Sequence, residues 1–121
     1  MEIILKHTED QFRESGIKVE ASLVLGYPAE KIIETAKQIK PDLVVVGAKG
    51  LRATLGILLG GVAQQVVEYA CCPVLVVRSP FKGLHRVLLV TDGSDCSWRA
   101  VRYLGKFPLA ETTDVRLMHV L

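Results

Sequence analysis

The stretch PDLVVVGAKGLRATLGILLGGVAQQVVEYACCPVLVVR, residues 41–78, determines the expected fold. It contains two short valine-rich runs, residues 43–46 and 74–77, which predict strands buried on both faces, as in a parallel sheet covered by helices. Between them, a loop that contains Gly47 and Gly50 leads into a helical pattern over residues 58–69. Such crossovers are right-handed almost without exception, and ligands bind where the parallel strands end. We therefore expect both glycines at a binding edge.

The residues before this stretch predict two helices and one strand. Residues 1–15 place apolar side chains at helical spacing, and Gly16 follows as a C-terminal cap. Residues 17–25 alternate well enough to predict a strand, with a turn at residues 26–28. A further helix is predicted from Pro28 to Lys40, because the residue before a proline is disfavoured in a helix.

A second block follows a break in the pattern. Residues 79–86, SPFKGLHR, contain a proline and a glycine and predict a linker. After it come a predicted strand at residues 87–90, the loop TDGS, a helix over residues 97–105 and a strand at residues 115–120.

Composition excludes several classes of protein. The chain has 121 residues, half of them apolar, which favours one domain with a single core. A net charge of +2 and the lack of a basic cluster interleaved with aromatic residues argue against a nucleic-acid partner. The charged start predicts neither a signal peptide nor a membrane anchor. Three cysteines without metal-ligand spacing favour a reduced, cytoplasmic setting.

The glycine spacing resembles that of a known family. Gly47, two residues, Gly50, nine residues and then Gly60 is similar to the phosphate and ribose loop of the nucleotide-binding universal stress proteins. PDLVVVGAKG and CCPVLVVRSP also resemble that family, as do VLLVTDGSDCSWRAVRYL and DVRLMHVL in the second block. The resemblance implies an α/β fold of the universal-stress, adenine-nucleotide-hydrolase-like kind, with a parallel sheet and helices on both faces.

The order of the blocks is permuted relative to that family. Residues 1–79 resemble the C-terminal portion of a universal stress domain, from helix 2 to strand 5, and residues 80–86 form the linker. Residues 87–121 resemble the N-terminal portion, from strand 1 to strand 2. The family's sheet order would require the linker to cover a straight line of ~20 Å, and eight residues span at most ~26–29 Å. We therefore favour a homodimer that exchanges blocks between chains, with closure within one chain left open.

The resemblance also implies an adenine-nucleotide site for ATP or AMP, with an accompanying Mg ion left open. Where the family has Ser or Thr, this chain has Gly61, which predicts either weaker binding or a preference for a nucleotide with fewer phosphates. A tight turn or a plain helix entry without a ligand is the alternative explanation of the glycines, and TDGS is also an ordinary turn and N-cap sequence. The predicted cofactor-binding residues are Val46, Gly47, Ala48, Gly50, Gly60, Gly61, Val62, Thr91, Asp92 and Val120.

Three functions remain open at this point. The first is a stress-response module that binds an adenine nucleotide and regulates without strong turnover. The second is a universal stress domain that binds no nucleotide and acts through dimerisation. The third is a nucleotide-using enzyme of the wider superfamily, which would need an SGGxDS-type loop or a catalytic pair. Neither feature occurs, and we predict no catalytic residue, no metal site and no membrane partner.

Overall fold

The computed structural model describes residues 2–49 and 59–121. The chain divides into two compact units, Met1–Ser79 and Pro80–Leu121. The single parallel sheet expected from the sequence is present as two separate two-stranded sheets.

The first unit contains the predicted helices. They are α1 (Glu2–Glu14), α2 (Pro28–Ile39) and α3 (Gly61–Tyr69). Gly16 follows α1 with a φ of +77°, the left-handed conformation expected of a C-terminal glycine. Pro28 begins α2, where its missing N–H costs nothing. Lys40 ends this helix with a φ of 48°, and its N–H donates to the Ala36 carbonyl at 2.9 Å.

The first sheet pairs β1 (Val44–Gly47) with β2 (Val74–Val77) in parallel, with Val44 opposite Val74 and Gly47 opposite Val77. Helix α3 packs against both β2 and α2. The buried apolar residues among those described are all in this unit and are mostly small: Ala29, Ala36, Ala48, Ala63 and Val66. The expectation of strands buried on both faces is wrong, because Val45 is 59% exposed and β1 alternates between half-buried and exposed residues.

The strand predicted at residues 17–25 is also wrong for this structure. These residues carry neither strand nor helix. Apart from the Ile17 N–H, which donates to the Phe12 carbonyl at 3.2 Å, their backbone has no hydrogen bond to another described residue. A strand exists only where a neighbouring strand satisfies its N–H and C=O groups, so alternation alone is not sufficient.

The second unit contains β3 (Arg86–Thr91), α4 (Asp95–Lys106) and β4 (Asp114–His119). The two strands pair in parallel, with Arg86 opposite Asp114 and Thr91 opposite His119. Helix α4 packs against β3 and starts two residues before its predicted start, because Ser94 caps it. Every residue from 80 to 121 is at least partly exposed, so this unit has no buried core of its own.

Among the helices of the described residues, none has the length and apolar character that crossing a membrane requires.

Candidate functional site

The first cluster of predicted site residues lies where β1 ends and α3 begins. The Gly60 N–H donates to the Ala48 carbonyl at 2.6 Å, and the Ala48 N–H donates to the Val77 carbonyl at 2.8 Å. These two bonds join the last residue before α3 to the carboxyl end of the sheet. The start of the helix is therefore held beside Gly47 and Ala48, as the sequence predicted.

The first backbone N–H groups of helix α3 lie at the carboxyl end of the first sheet. The first turn of the helix closes when the Gln64 N–H donates to the Gly60 carbonyl at 3.0 Å, so the N–H groups of residues 61–63 precede the first intrahelical bond. Among the described residues these three groups have no backbone partner. Unpaired N–H groups and the positive end of the helix dipole both favour an anion.

Within the part of the chain that the structure describes, no atom closely covers Gly47 or Gly61. A Cβ atom built on Gly47 would meet only the Lys49 carbonyl oxygen, at 3.8 Å, and one built on Gly61 would meet nothing within 4 Å. Both residues are exposed. An approaching phosphate or ribose would find backbone rather than side chain there, which fits a nucleotide's polar groups.

Gly60 has a different role from the one predicted. Because its N–H is bonded to Ala48, it holds the helix start in place and does not offer that N–H to a ligand. The donors at this edge come from Gly61, from Val62 and from Ala63, a residue that sequence reasoning did not select. Its position in the sequence could have identified it, because Ala63 is the third residue after Gly60, the glycine that caps the helix.

The second cluster lies in the loop that follows β3. The Gly93 N–H donates to Thr91 Oγ1 at 3.1 Å, and the Ser94 N–H donates to Asp92 Oδ1 at 2.9 Å. Ser94 Oγ in turn accepts from the Ser97 N–H at 3.2 Å, which caps α4. Gly93 has a φ of +82°, a conformation that side-chain-bearing residues rarely adopt. The turn and N-cap interpretation of TDGS is thus confirmed.

The Asp92 carboxylate is stabilised in its charged form. Hydrogen bonds from the side chain and backbone of Ser94 and from the side chain of Ser97 lower the pKa of Asp92. The carboxylate is therefore held in its charged form at the carboxyl end of β3.

Val120 lies beside this loop. Its N–H donates to the Thr91 carbonyl at 2.9 Å, and its side chain is half exposed. Sequence reasoning did not select Ser97, whose Oγ lies 2.8 Å from Thr91 Oγ1 and donates to the Ser94 carbonyl at 2.9 Å. The N-cap spacing between Ser94 and Ser97 was the signal that could have identified it.

The predicted residues therefore converge within each unit. Val46, Gly47, Ala48, Gly60, Gly61 and Val62 meet at the end of the first sheet, and Thr91, Asp92 and Val120 meet at the end of the second. Gly50 lies outside the described residues. No group of three or more His, Cys, Asp or Glu side chains within residues 2–49 and 59–121 is placed to hold a metal ion.

Comparison with known proteins identifies the family. A family model described as "Universal stress protein family" matches residues 2–78. The chain belongs to the universal stress protein family. The match ends at Arg78, so the resemblance of the second block to the start of a universal stress domain stays a prediction.

Individual relatives agree with this assignment. The chain is 42% identical over 78 residues to Universal stress protein MJ0531 of Methanocaldococcus jannaschii, a match that covers 64% of this chain and 46% of the relative. It is 35% identical over 75 residues to Universal stress protein YxiE of Bacillus subtilis, covering 62% and 51% respectively. The chain thus spans about half the length of the curated relatives that it matches.

A solved structure also matches. The protein MJ0577 of Methanocaldococcus jannaschii superposes with a TM-score of 0.62 at 30% identity, covering 64% of this chain and 54% of that chain. The α/β fold is therefore that of a universal stress protein.

Proposed function

We propose that this protein binds an adenine nucleotide, ATP or AMP, and acts as a stress-response regulator without strong turnover. The observation that supports it is the pairing of Gly60 with Ala48, which holds the first N–H groups of α3 at the end of β1. Among the described residues these groups have no backbone partner, and no atom closely covers Gly47 or Gly61, so phosphates could approach. Asp92, Thr91 and Val120 would hold the adenosine end, and any Mg would arrive bound to the phosphates of ATP.

The residues also support binding rather than catalysis. The side-chain hydroxyls in the loop after β3 form hydrogen bonds with one another or with the loop backbone, and so hold the loop in position. They belong to Thr91, Ser94 and Ser97. Among residues 2–49 and 59–121, no histidine or lysine is hydrogen-bonded to these hydroxyls, and a nucleophile requires a neighbouring base of this kind to be activated. We place the protein in the cytoplasm, a proposal that its three free cysteines favour.

Calorimetric titration with Mg-ATP and then with AMP tests the proposal. We expect binding at micromolar ligand, with loss of the signal in Asp92→Ala. A protein that releases no heat and shows no competition at millimolar ligand would contradict nucleotide binding. Rapid release of phosphate or pyrophosphate would instead indicate an enzyme.

A second function is supported by one specific feature. Gly61 lacks the hydroxyl that nucleotide-binding members of the family carry at this position, which favours a universal stress domain that works through dimer contacts alone. In that case neither nucleotide binds, and only the association of the chains has a functional consequence.

A further inference from the structure

Two cysteines stand side by side in the turn between α3 and β2. Cys71 and Cys72 are the only adjacent pair among the three cysteines of the sequence, and the third, Cys96, lies on α4 in the second unit. All three are free thiols, and the proposed nucleotide site does not use the pair. The first unit therefore carries two sulfur atoms on consecutive residues whose role the nucleotide site does not explain.

The turn that carries the pair is held at both ends by backbone hydrogen bonds. On one side the Ala70 N–H donates to the Val66 carbonyl at 2.9 Å, where α3 ends. On the other side the Pro73 carbonyl accepts from the Val44 N–H of β1 at 3.0 Å. The ring of Pro73 also fixes its own φ and disfavours the helical conformation for Cys72. The two thiol-bearing residues are thus confined to a short stretch between two fixed points.

Both thiols are within reach of a small reagent. Cys71 is exposed and Cys72 is half-buried. Burial raises the pKa of the Cys72 thiol, and the charge of the neighbouring Cys71 raises it further. The second effect requires the two groups to be close together, because the interaction of two charges falls with distance. Cys72 therefore keeps its proton at neutral pH unless a ligand replaces it.

These properties argue against oxidation as the role of the pair. Oxidants attack thiolates, and the raised pKa of Cys72 lowers its thiolate fraction. A direct disulfide is also unfavourable, because the α-carbons of consecutive residues are ~3.8 Å apart, whereas disulfides join α-carbons at ~4.4–6.8 Å. An atom inserted between the two sulfurs enlarges the ring and relaxes that constraint.

The number of available ligands narrows the choice of the inserted atom. A structural zinc ion is bound by four ligands. Within residues 2–49 and 59–121, no group of three or more His, Cys, Asp or Glu side chains is placed to hold a metal ion. A trivalent arsenic atom that already carries one organic substituent has only two positions left, and like other soft centres it prefers sulfur. Two neighbouring thiols satisfy such an atom completely.

We propose that Cys71 and Cys72 form a dithiol site that captures a monosubstituted trivalent arsenical, RAs(OH)2. Each thiol displaces one hydroxide: two As–O bonds and two S–H bonds break, two As–S bonds form, and the protons leave with the hydroxides as two molecules of water. Arsenic stays trivalent, so the step needs neither an oxidant nor a reductant. The pair precedes the start of β2, whereas the proposed nucleotide edge is at the end of that strand, so this inference does not depend on nucleotide binding.

Measurement of the intact mass of the folded chain tests the proposal. The full chain is first reduced, the reductant is removed, and phenylarsine oxide is added in slight excess together with glutathione as a competing monothiol. We expect one phenylarsenic adduct per chain, which persists against glutathione and is removed by the dithiol dimercaptopropanol. Cys71→Ser and Cys72→Ser should each weaken retention on the order of 100-fold, because the second As–S bond no longer forms within one molecule.

Cys96→Ser is the matched control, since it removes a thiol and leaves the pair intact. It should retain the adduct as the wild type does. Cys71→Ala and Cys72→Ala should reproduce the loss seen with serine, and circular dichroism of each variant establishes that the fold persists. Full retention in a variant that lacks Cys71 or Cys72, or loss of the adduct in Cys96→Ser, would overturn the proposal. An adduct that forms only in urea would also overturn it, because the folded turn would then not present both thiols.

Discussion

The backbone N–H of Gly60 donates to the carbonyl of Ala48 at 2.6 Å. This bond fixes the start of α3 against the end of β1, and so positions the first N–H groups of the helix, which have no intrahelical partner, at that edge. The arrangement depends on backbone alone, so side chains at this edge can be changed without removing it.

Replacement of Gly61 by serine should increase the affinity for ATP. Gly61→Ser adds a hydroxyl where a Cβ meets nothing within 4 Å, so it can reach a phosphate without strain. A hydrogen bond to a charged group predicts a roughly tenfold tighter ATP affinity. Gly105→Ser is the matched control, because the Cβ there also meets nothing within 4 Å and the residue lies on α4. Equal affinity of Gly61→Ser and wild type, by calorimetry, would count against phosphate binding at this helix.

Gly47→Val should remove nucleotide binding while the fold persists. Among the described residues, the atom near a Cβ at this position is the Lys49 carbonyl oxygen at 3.8 Å, an ordinary contact, and valine suits a strand. The added methyl groups fill the space that a ligand would enter. Circular dichroism should be unchanged while titration shows no heat. Gly47→Ala should give a smaller loss, and a Val variant that binds normally would exclude this edge as the site.

Gly93 should be sensitive for a different reason. Its φ of +82° is unfavourable for any residue with a Cβ, so Gly93→Ala should lower the free energy of unfolding by about 1 kcal/mol. Gly61→Ala, without positive φ, should show no such loss. Urea unfolding measures both, and equal stability of the two variants would show that the TDGS turn relaxes easily.

Asp92 predicts a pH dependence of stability. Its pKa in the folded chain lies below the ordinary value of 3.8, since hydrogen bonds from Ser94 and Ser97 favour the carboxylate. The unfolded chain therefore takes up a proton first as the pH falls. This contribution to stability is fully present above pH 3.8 and is lost as the pH falls below that value through the folded pKa.

Asp92→Asn separates this effect from general acid unfolding. The amide oxygen can still accept from the Ser94 N–H, but it does not titrate. Urea midpoints are measured at neutral pH and again below pH 3.8. Between these two conditions the midpoint should fall less for Asp92→Asn than for the wild type. Parallel curves would mean that Asp92 contributes nothing to the acid sensitivity.

The outer edge of β2 predicts an association surface. The carbonyls of Pro73 and Val77 accept from β1, so Val76 directs its backbone groups away from that strand. Val76→Pro removes the N–H that a further strand would use, and Val76→Lys adds a charge there. Both should weaken association in sedimentation experiments. Val67→Lys, an exposed position on α3, is the control, and unchanged sedimentation of the Val76 variants would exclude this edge.

Most of the helices and strands were predicted from residues that lie next to them in the sequence. These signals act within a few residues, and the structure contains the elements that they predict. The signals are the glycine after α1, the proline at the start of α2 and the valine runs of β1 and β2. The predicted positions of Ala48 and Asp92 directly after strands have the same local origin, and whether these residues bind a ligand stays a prediction.

Apart from the early start of α4, which the Ser94 cap explains, the main errors concern interactions between distant parts of the chain. Residues 17–25 alternate like a strand, but whether they pair depends on a neighbour that alternation does not reveal. The burial of Val45 was overestimated because burial depends on how many strands flank β1. Gly60 was assigned to the ligand because its bond to Ala48 joins residues far apart in sequence.

No residue between positions 80 and 121 is buried, so the stability of this unit responds to whatever molecule covers it. A molecule that binds only the folded unit stabilises it by mass action, and the folded fraction then rises with the concentration of that molecule. At a concentration one hundred times the dissociation constant, the gain in the free energy of unfolding is about 2.7 kcal/mol.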